Sequence, residues 1–260
     1  MAIRFYIGLY RLPHVRHFEN SFISVNQLCN RKSLFIVNNW IMDSGAFTEI
    51  STFGYYRFSE KEYASQINKW AICGNLELAV SQDYMCEPFI LAKTGLSIIQ
   101  HQNLTINRYD NLVNLCNVTI MPVLQGYASE DYCRHLDMYG ERLVYSQRVG
   151  IGSICKRNSN PKEIVKILES IKYKRPDLRL HGFGLKITSL QNAYITSLLY
   201  SADSMAWSYA ARREGRDANS LQEALNFYNN IINYQGTKPF QKDFATPLQN
   251  LNPHPPGHRK

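Results

Sequence analysis

The sequence predicts an α/β protein folded as a single (β/α)8 barrel of the TIM type. About eight short apolar runs, each bounded by turn residues, recur along the chain. Helix-like segments separate these runs, and such alternation produces parallel strands joined by right-handed crossovers. Several runs end in polar or glycine-containing clusters, as in a barrel whose active site gathers at the carboxyl ends of its strands. A doubly wound open sheet is the alternative, although no G-x-G-x-x-G sequence follows the first run.

The predicted strands are continuously apolar rather than alternating, which is typical of strands buried on both faces. In chain order they are Phe5–Tyr10, Phe22–Val25, Leu34–Met42, Leu76–Val80, Val118–Leu124, Val149–Ile154, Leu178–Leu185 and Ala202–Trp207.

The predicted helices begin at recognisable N-terminal signals. Ser59 is placed as an N-cap before two early glutamates, and that helix runs towards Cys73. A second helix opens at Ser129. A third has Pro161 in its first turn, followed by an apolar stripe of isoleucines and leucine between 164 and 171. The remaining predicted helices are Thr188–Tyr200 and Ser220–Ile232.

Composition indicates one ordinary globular domain at residues 1–235, followed by an irregular basic C-terminal tail at 236–260. Apolar residues make up 45% and charged residues 19% of the chain. The formal net charge of +8 favours a polyanionic partner without requiring one. We expect no membrane span and no signal peptide. The six cysteines show no C-x-x-C spacing, which predicts no metal site and suits reduced thiols in a cytoplasmic protein.

Three aspartates end predicted strands, where a carboxylate is costly unless it is hydrogen-bonded or used. They are Asp43, Asp83 and Asp203. Each alone is explained by helix capping, but together they favour a site in which one carboxylate is a nucleophile and another a general acid/base. Gln125, which also follows a strand, can hydrogen-bond the edge of a base.

Glycines at strand ends either permit a tight turn or let a flat ligand approach the backbone. The segment from Val149 to Ser153, with Gly150 and Gly152 on either side of Ile151, is the better candidate for the second role. Gly126 occupies a similar position after Gln125.

Asp43-Ser44-Gly45-Ala46-Phe47 resembles the D-S-G-G-F motif of the tRNA-guanine transglycosylase superfamily. Longer strings resemble its DNA-modifying deazaguanine branch, the DpdA family, over roughly residues 22 to 213. These strings are Gln82–Pro88, His101-Gln102 with Thr105, Pro122–Gly126, Gly150–Arg157, His181–Lys186 and Ser201–Ser208.

The resemblance implies a base exchange at C1′ that needs no organic cofactor. Asp203 corresponds to the nucleophile and Asp43 to the general acid/base. The remaining matches imply a base pocket made of Ser44, Asp83, Gln125, Gly126, Gly150, Ile151 and Gly152. Tyr84 follows Asp83 where tRNA-acting members carry a second carboxylate, and their zinc cluster near the C-terminus is missing. The barrel is therefore expected to lack the zinc subdomain.

Several further residues are candidates for nucleic-acid contact, each with a plainer alternative. The basic residues are Lys156 and Arg157, after the glycine pair, and Arg212 and Arg213, after Asp203; a solvated helix face is their alternative. Trp207 and Phe47 either stack on a base or pack in the core. His101 and His181 either touch substrate or serve packing and capping.

These observations predict a DNA guanine transglycosylase that inserts a 7-deazaguanine base such as 7-cyano-7-deazaguanine, in the cytoplasm of a bacterial or phage-infected cell. A tRNA-guanine transglycosylase and a non-catalytic nucleic-acid-binding subunit are the alternatives. The sequence leaves open the oligomeric state and any helper protein.

Overall fold

The computed structural model describes residues 3–237, and its sheet is a nearly closed barrel of parallel strands. The strands are β1 (Arg4–Gly8), β2 (Asn20–Ser24), β3 (Asn39–Asp43), β4 (Asn75–Val80), β5 (Ile120–Met121), β6 (Val123–Leu124), β7 (Arg148–Ile151), β8 (Arg179–Gly182) and β9 (Ser201–Ser204). They are ordered β5-β4-β3-β2-β1-β9-β8-β7-β6. The predicted α/β barrel is confirmed.

Pro122 explains why nine strands form an eight-stranded barrel. β5 and β6 are two halves of one predicted strand, interrupted at Pro122, which has no N–H to donate to a neighbouring strand. β5 pairs with β4, whereas β6 pairs with β7. The Pro122 carbonyl still accepts from Gly150 N at 2.8 Å. This one interrupted strand therefore joins the two edges of the sheet.

The third predicted strand begins too early in the sequence. β3 starts at Asn39, and residues 34–38 form no strand. Leu34 is 61% exposed and Ile36 is 77% exposed, so their apolar character does not reflect burial in the sheet. The other predicted strands differ from the observed strands by a few residues. The strand predicted at Ala202–Trp207, for example, ends at Ser204, because a helix begins at Ala206.

The helices surround the barrel. They are α1 (Ala46–Phe53), α2 (Glu60–Trp70), α3 (Pro88–Thr94), α4 (Ile98–Leu115), α5 (Ser129–Tyr139), α6 (Pro161–Lys174), α7 (Ile187–Leu190), α8 (Ala193–Leu198), α9 (Ala206–Arg213) and α10 (Leu221–Thr237). The capping box predicted at Ser59 is present, with Glu62 completing it. The segment predicted as one helix at Thr188–Tyr200 is divided between α7 and α8, while α1, α3, α4 and α9 are missed by the sequence prediction.

The barrel interior is filled by side chains rather than open. One apolar cluster inside it contains six residues from strands β1, β3, β4, β5 and β6, namely Tyr6, Ile41, Leu78, Val80, Met121 and Val123, with Phe22 and Phe183 against it. Near the amino ends of the strands, Glu77 forms ion pairs with Arg4 and Arg148 and accepts a hydrogen bond from Tyr6 Oη at 2.8 Å. A larger core lies between the strands and the helices.

Within residues 3–237, no helix is long and apolar enough to cross a membrane. The predicted tail, residues 236–260, lies outside the described residues except for its first two, which end α10.

Candidate active site

Polar side chains from distant parts of the chain meet at one rim of the barrel. Because every strand pair is parallel, the carboxyl ends of the strands face the same way. At or just beyond these ends lie Asp43 (β3), Asp83 (after β4), Gln125 (after β6), Gly150 (β7), His181 (β8) and Asp203 (β9). The fold therefore places these six residues at the same end of the barrel.

Asp83 and Gln125 are directly bonded. Gln125 Nε2 donates to Asp83 Oδ2, and Gln125 Oε1 accepts from Ser153 Oγ at 2.8 Å. Ser153 Oγ in turn accepts from Cys86 N at 3.3 Å, so its own proton is available to Gln125. The side chains of Asp83, Gln125 and Ser153 are all buried. This chain of bonds fixes which end of the Gln125 amide faces Asp83.

The Asp83 carboxyl is easily protonated. Burial raises the pKa of Asp83 to about 7; the Gln125 amide opposes this shift and the charge of Asp43 adds to it. Tyr56 Oη donates to the Asp83 carbonyl at 2.9 Å and lies 3.4 Å from Ser44 Oγ. The predicted residue Ser44 therefore supports the Asp83 loop through Tyr56.

Helix α4 holds the loops that carry Asp83 and Gln125. Gln102 Nε2 donates to the Gln125 carbonyl at 2.7 Å, and Thr105 Oγ1 accepts from Tyr84 N at 2.9 Å. His101 is fully buried, with Nδ1 2.6 Å from the Met85 carbonyl oxygen and Nε2 bonded to the Thr94 hydroxyl. These contacts explain the His101-Gln102 and Thr105 string as loop support, the plainer of the two roles considered for His101.

The glycines at this rim leave space that side chains occupy. A Cβ at Gly152 would collide with the Gln125 amide, lying 2.6 Å from its Oε1, and a Cβ at Gly150 would overlap the ring of Phe183. A Cβ at Gly126 would lie 2.7 Å from Asp131 Cβ. Gly150 and Gly152 therefore allow the close packing of Phe183 and Gln125.

Asp203 is oriented by two donors on one oxygen. Its Oδ1 lies 3.2 Å from Gly184 N and 3.3 Å from His181 Nε2. The other ring nitrogen, His181 Nδ1, is 2.8 Å from Ser201 Oγ, and the ring stacks on Phe22 at 5.8 Å. Burial lowers the pKa of His181, so the ring is neutral and donates one proton to Asp203. His181 therefore orients Asp203, a role its sequence position alone does not reveal.

Asp43 lies at the end of β3, half-buried and within electrostatic reach of Asp203. Burial and then the charge of Asp203 raise the pKa of Asp43 to about 6, although Gly45 N–H, the Ser24 hydroxyl and Ser44 N–H donate to its carboxylate. Gly45 has a φ of 74°, a left-handed conformation that glycine adopts without strain. The D-S-G motif thus places two N–H groups on Asp43. Such a pKa suits a group that both gives and takes a proton near neutrality.

The basic candidates have different environments. Lys156 is exposed, and its Nζ lies 4.7 Å from the ring centre of Phe47 and 5.6 Å from that of Phe89. Arg157 is buried, donates to the Ser153 carbonyl at 2.7 Å and pairs with Glu163 at 3.5 Å. The Arg157 guanidinium is therefore engaged inside the protein.

The aromatic and C-terminal basic candidates also differ from one another. Trp207 is buried, and its Nε1 donates to the Gly8 carbonyl at 2.9 Å, as expected of core packing. Phe47 is 51% exposed. Arg212 and Arg213 are exposed at the end of α9, the helix that follows Asp203.

One comparison with known proteins identifies a family. The model of a family described as "DpdA: DeoxyPurine in DNA protein A" matches residues 1–224. A search of the curated proteins finds no match.

Proposed function

Because the chain belongs to the DpdA family of DNA deazapurine-related transglycosylases, we propose that it exchanges guanine in DNA for a 7-deazaguanine base, such as 7-cyano-7-deazaguanine. The observation that carries this proposal is the pair of unlike carboxyls at one rim. Asp203 is held by two donors on a single oxygen, whereas Asp43 has a pKa of about 6. Pairs of carboxyls with different environments divide the work of nucleophile and acid/base.

In the first displacement Asp203 attacks C1′ of the target nucleotide. The C1′–N9 bond breaks, a C1′–Oδ bond forms, and the departing guanine takes a proton from Asp43. His181 and Gly184 N–H hold Asp203 Oδ1, which leaves Oδ2 to attack.

In the second displacement the 7-deazaguanine base gives its N9 proton to Asp43 and attacks C1′. Its C1′–N9 bond forms as the bond to Asp203 breaks, so both residues return to their starting states. Two displacements at one carbon retain its configuration.

Asp83 and Gln125 would hold the base while these bonds change. The Asp83 carboxyl accepts from the N1–H and 2-amino groups of a guanine-like edge. Turned from Asp83 towards the base, the Gln125 amide donates to its O6. The backbone of Gly150–Gly152 would line the same pocket, together with the Phe183 ring and the Gln125 amide that pack against it.

The exposed surface formed by Lys156, Phe47 and Phe89 would bind the DNA next to the target nucleotide. C1′ is not accessible to a protein carboxylate inside a stacked duplex, so the nucleotide must be extruded or single-stranded. Half-exposed Phe47 and Phe89 offer faces on which neighbouring bases stack, and Lys156 meets the phosphates. Arg212 and Arg213 extend the positive surface.

Base exchange on defined substrates tests this function. Purified protein should release labelled guanine from single-stranded DNA when a 7-deazaguanine base is added, and nucleoside mass spectrometry should find the new base in the DNA. Asp203→Asn should form no covalent protein–DNA adduct. Asp137→Asn is the matched control, because Asp137 is exposed and pairs only with Lys174 among the described residues.

Three results would contradict the proposal. Incorporation into tRNA but not DNA would establish the RNA-acting alternative. An adduct formed by Asp203→Asn would show that another carboxylate attacks. Modification in cells that persists with Asp203→Ala would assign catalysis to a different protein.

A further inference from the structure

Arginines without an acidic partner gather at one part of the protein. Within residues 3–237, most arginines form an ion pair with a carboxylate. The arginines of this range that do not are Arg11, Arg16, Arg31, Arg179, Arg212 and Arg213. Among the described residues, the exposed side chains of Arg11, Arg212 and Arg213 have no hydrogen-bond partner either. Burying part of such a cation is favourable only against an anion.

The segments that carry these three arginines meet at the carboxyl ends of two neighbouring strands. Arg11 follows β1, whereas Arg212 and Arg213 end α9, the helix that follows β9. β1 and β9 pair in parallel. Trp207 Nε1, in the first turn of α9, donates to the carbonyl of Gly8, the last residue of β1, at 2.9 Å. The two segments are therefore joined at this end of the barrel.

Helix α9 and the turn after it stay near the same end. Ser208 Oγ donates to the Ala218 carbonyl at 2.7 Å, so the chain after α9 returns to the start of that helix. Burial and then the charge of Arg11 lower the pKa of His14, and the charge of Asp217 opposes them. The turn after α9 therefore lies beside the loop after β1.

The acidic residues of that turn have other partners. Glu214 pairs with Arg216, and Asp217 accepts a hydrogen bond from Asn219 N at 2.8 Å. The three arginines are therefore available to an anionic ligand.

Two exposed tyrosines accompany the arginines. Tyr10, which precedes Arg11, is 61% exposed, and Tyr209, on α9, is 56% exposed. Exposed aromatic rings beside cations suit a single nucleic-acid strand, because its bases stack on the rings while its phosphates meet the charges. We call Tyr10, Arg11, Tyr209, Arg212 and Arg213 the β1–α9 surface.

The β1–α9 surface lies opposite the base pocket. In the strand order, β1 and β9 are halfway round the barrel from β4 and the interrupted strand β5–β6. Asp83 and Gln125 follow those distant strands, whereas Asp203 lies on β9. With Asp203 attacking C1′, a base held by Asp83 and Gln125 points across the rim. The phosphates are attached through C3′ and C5′, on the other side of the sugar, and so lie towards β9 and β1.

We infer that the β1–α9 surface binds the DNA backbone on either side of the target nucleotide. This inference rests on the proposed function. The arginines bind the phosphates adjacent to the target, and Tyr10 and Tyr209 stack on the neighbouring bases. Base and backbone are thus held on opposite sides of the reacting C1′.

Binding of single-stranded DNA of about 15 nucleotides with one guanine, measured over a range of salt concentrations, tests the inference. In single strands each phosphate contact contributes about −0.7 to the slope of log K against log salt. The triple variant Arg11→Ala/Arg212→Ala/Arg213→Ala should therefore have a slope shallower by about 2. The corresponding triple lysine variant, which keeps the charges, should retain the native slope. Tyr209→Ala should weaken binding about fivefold or more, the effect of losing one stacked base.

Matched controls are available near the amino ends of the strands. Arg31 is exposed and precedes β3, and Tyr173 is 91% exposed near the end of α6, before β8. Arg31→Ala and Tyr173→Ala should leave DNA binding unchanged. Native affinity of the triple alanine variant for the free 7-deazaguanine base, with a native melting temperature, would show that its base pocket is folded.

The outcomes separate this inference from the proposed function. A native salt slope in the triple alanine variant, or a loss of affinity no larger than that of Arg31→Ala, would overturn the inference. Weaker binding of an RNA strand but not of DNA would assign the surface to RNA and overturn it as well. If the native protein neither binds the DNA nor exchanges its guanine, the proposed function itself fails.

Discussion

Gly152→Ala is expected to disable base binding by displacing one side chain. A Cβ at residue 152 would collide with the Gln125 amide, 2.6 Å from Oε1 and closer to Nε2 and Cδ. Carbon contacts are favourable near 3.5–4.0 Å, so the amide must move by about 1 Å or more. Gly152 has no positive φ, and the substitution therefore adds no left-handed backbone strain.

The expected magnitude comes from the bonds that this movement breaks. Displaced from its position, the Gln125 amide loses its 2.8 Å bond from Ser153 and the bond that it is proposed to donate to O6 of the bound base. Each hydrogen bond contributes about 1 kcal/mol net, and leaving a buried partner unsatisfied costs about 1–3 kcal/mol more. A total of about 3 kcal/mol corresponds to roughly a 100-fold loss of affinity for the free base.

The assay is titration calorimetry of the free base with the native protein, Gly152→Ala, Gln125→Ala and the double variant. If Gly152→Ala acts through Gln125, it should cost almost nothing further once Gln125 is alanine. Additive losses would refute the reasoning.

A remote glycine controls for general destabilisation. Gly54 has a φ of 81° and would place a Cβ no closer than 3.8 Å to any neighbouring atom, so Gly54→Ala introduces strain without a collision. It should lower thermal stability while leaving base affinity unchanged.

Three further outcomes are expected. Asp83 has a pKa of about 7 in the folded protein, so its carboxyl binds a proton more readily there than in the unfolded chain. The contribution of this group to the free energy of unfolding is therefore fully present below about pH 4 and is lost as the pH rises through 7. Asp83→Asn should therefore raise the melting temperature, relative to native protein, more at pH 8 than at pH 5. His181→Phe should slow adduct formation at Asp203 about tenfold in single-turnover experiments, with DNA affinity unchanged, because one donor to the carboxylate is lost; an unchanged rate would exclude the orienting role. Lys156→Ala should reduce the salt dependence of DNA binding by about one phosphate contact, whereas Lys174→Ala, which removes a lysine paired with an aspartate, should not.

The sequence predicts the elements whose pattern is local. The capping box at Ser59 and the proline at the start of α6 mark helix starts, because the side chains that define them are close in sequence. Helix α4 is missed, although Ser97 and Gln100 form a capping box at its start. Its segment contains four asparagines, which are weak helix formers, and its buried face includes polar Gln102. The spacing of its apolar residues therefore does not reveal α4 as a helix.

The polar face of α4 makes sense only in the folded protein. Gln102, His101 and Thr105 support loops that come from elsewhere in the chain. The break at Pro122 is visible in the sequence, but the closing of the barrel through its two halves depends on which strands lie beside them.

By itself, the sequence determined the succession of the strands along the chain, the polar residues that end them, and the glycines beside them, because these follow from local periodicity and backbone freedom. Only the tertiary structure decided which of those residues meet. It joined Asp83 to Gln125 and His181 to Asp203, buried Arg157 and left Lys156 exposed. It also raised the pKa values of Asp43 and Asp83, since burial and the charges of distant residues exist only after the chain has folded.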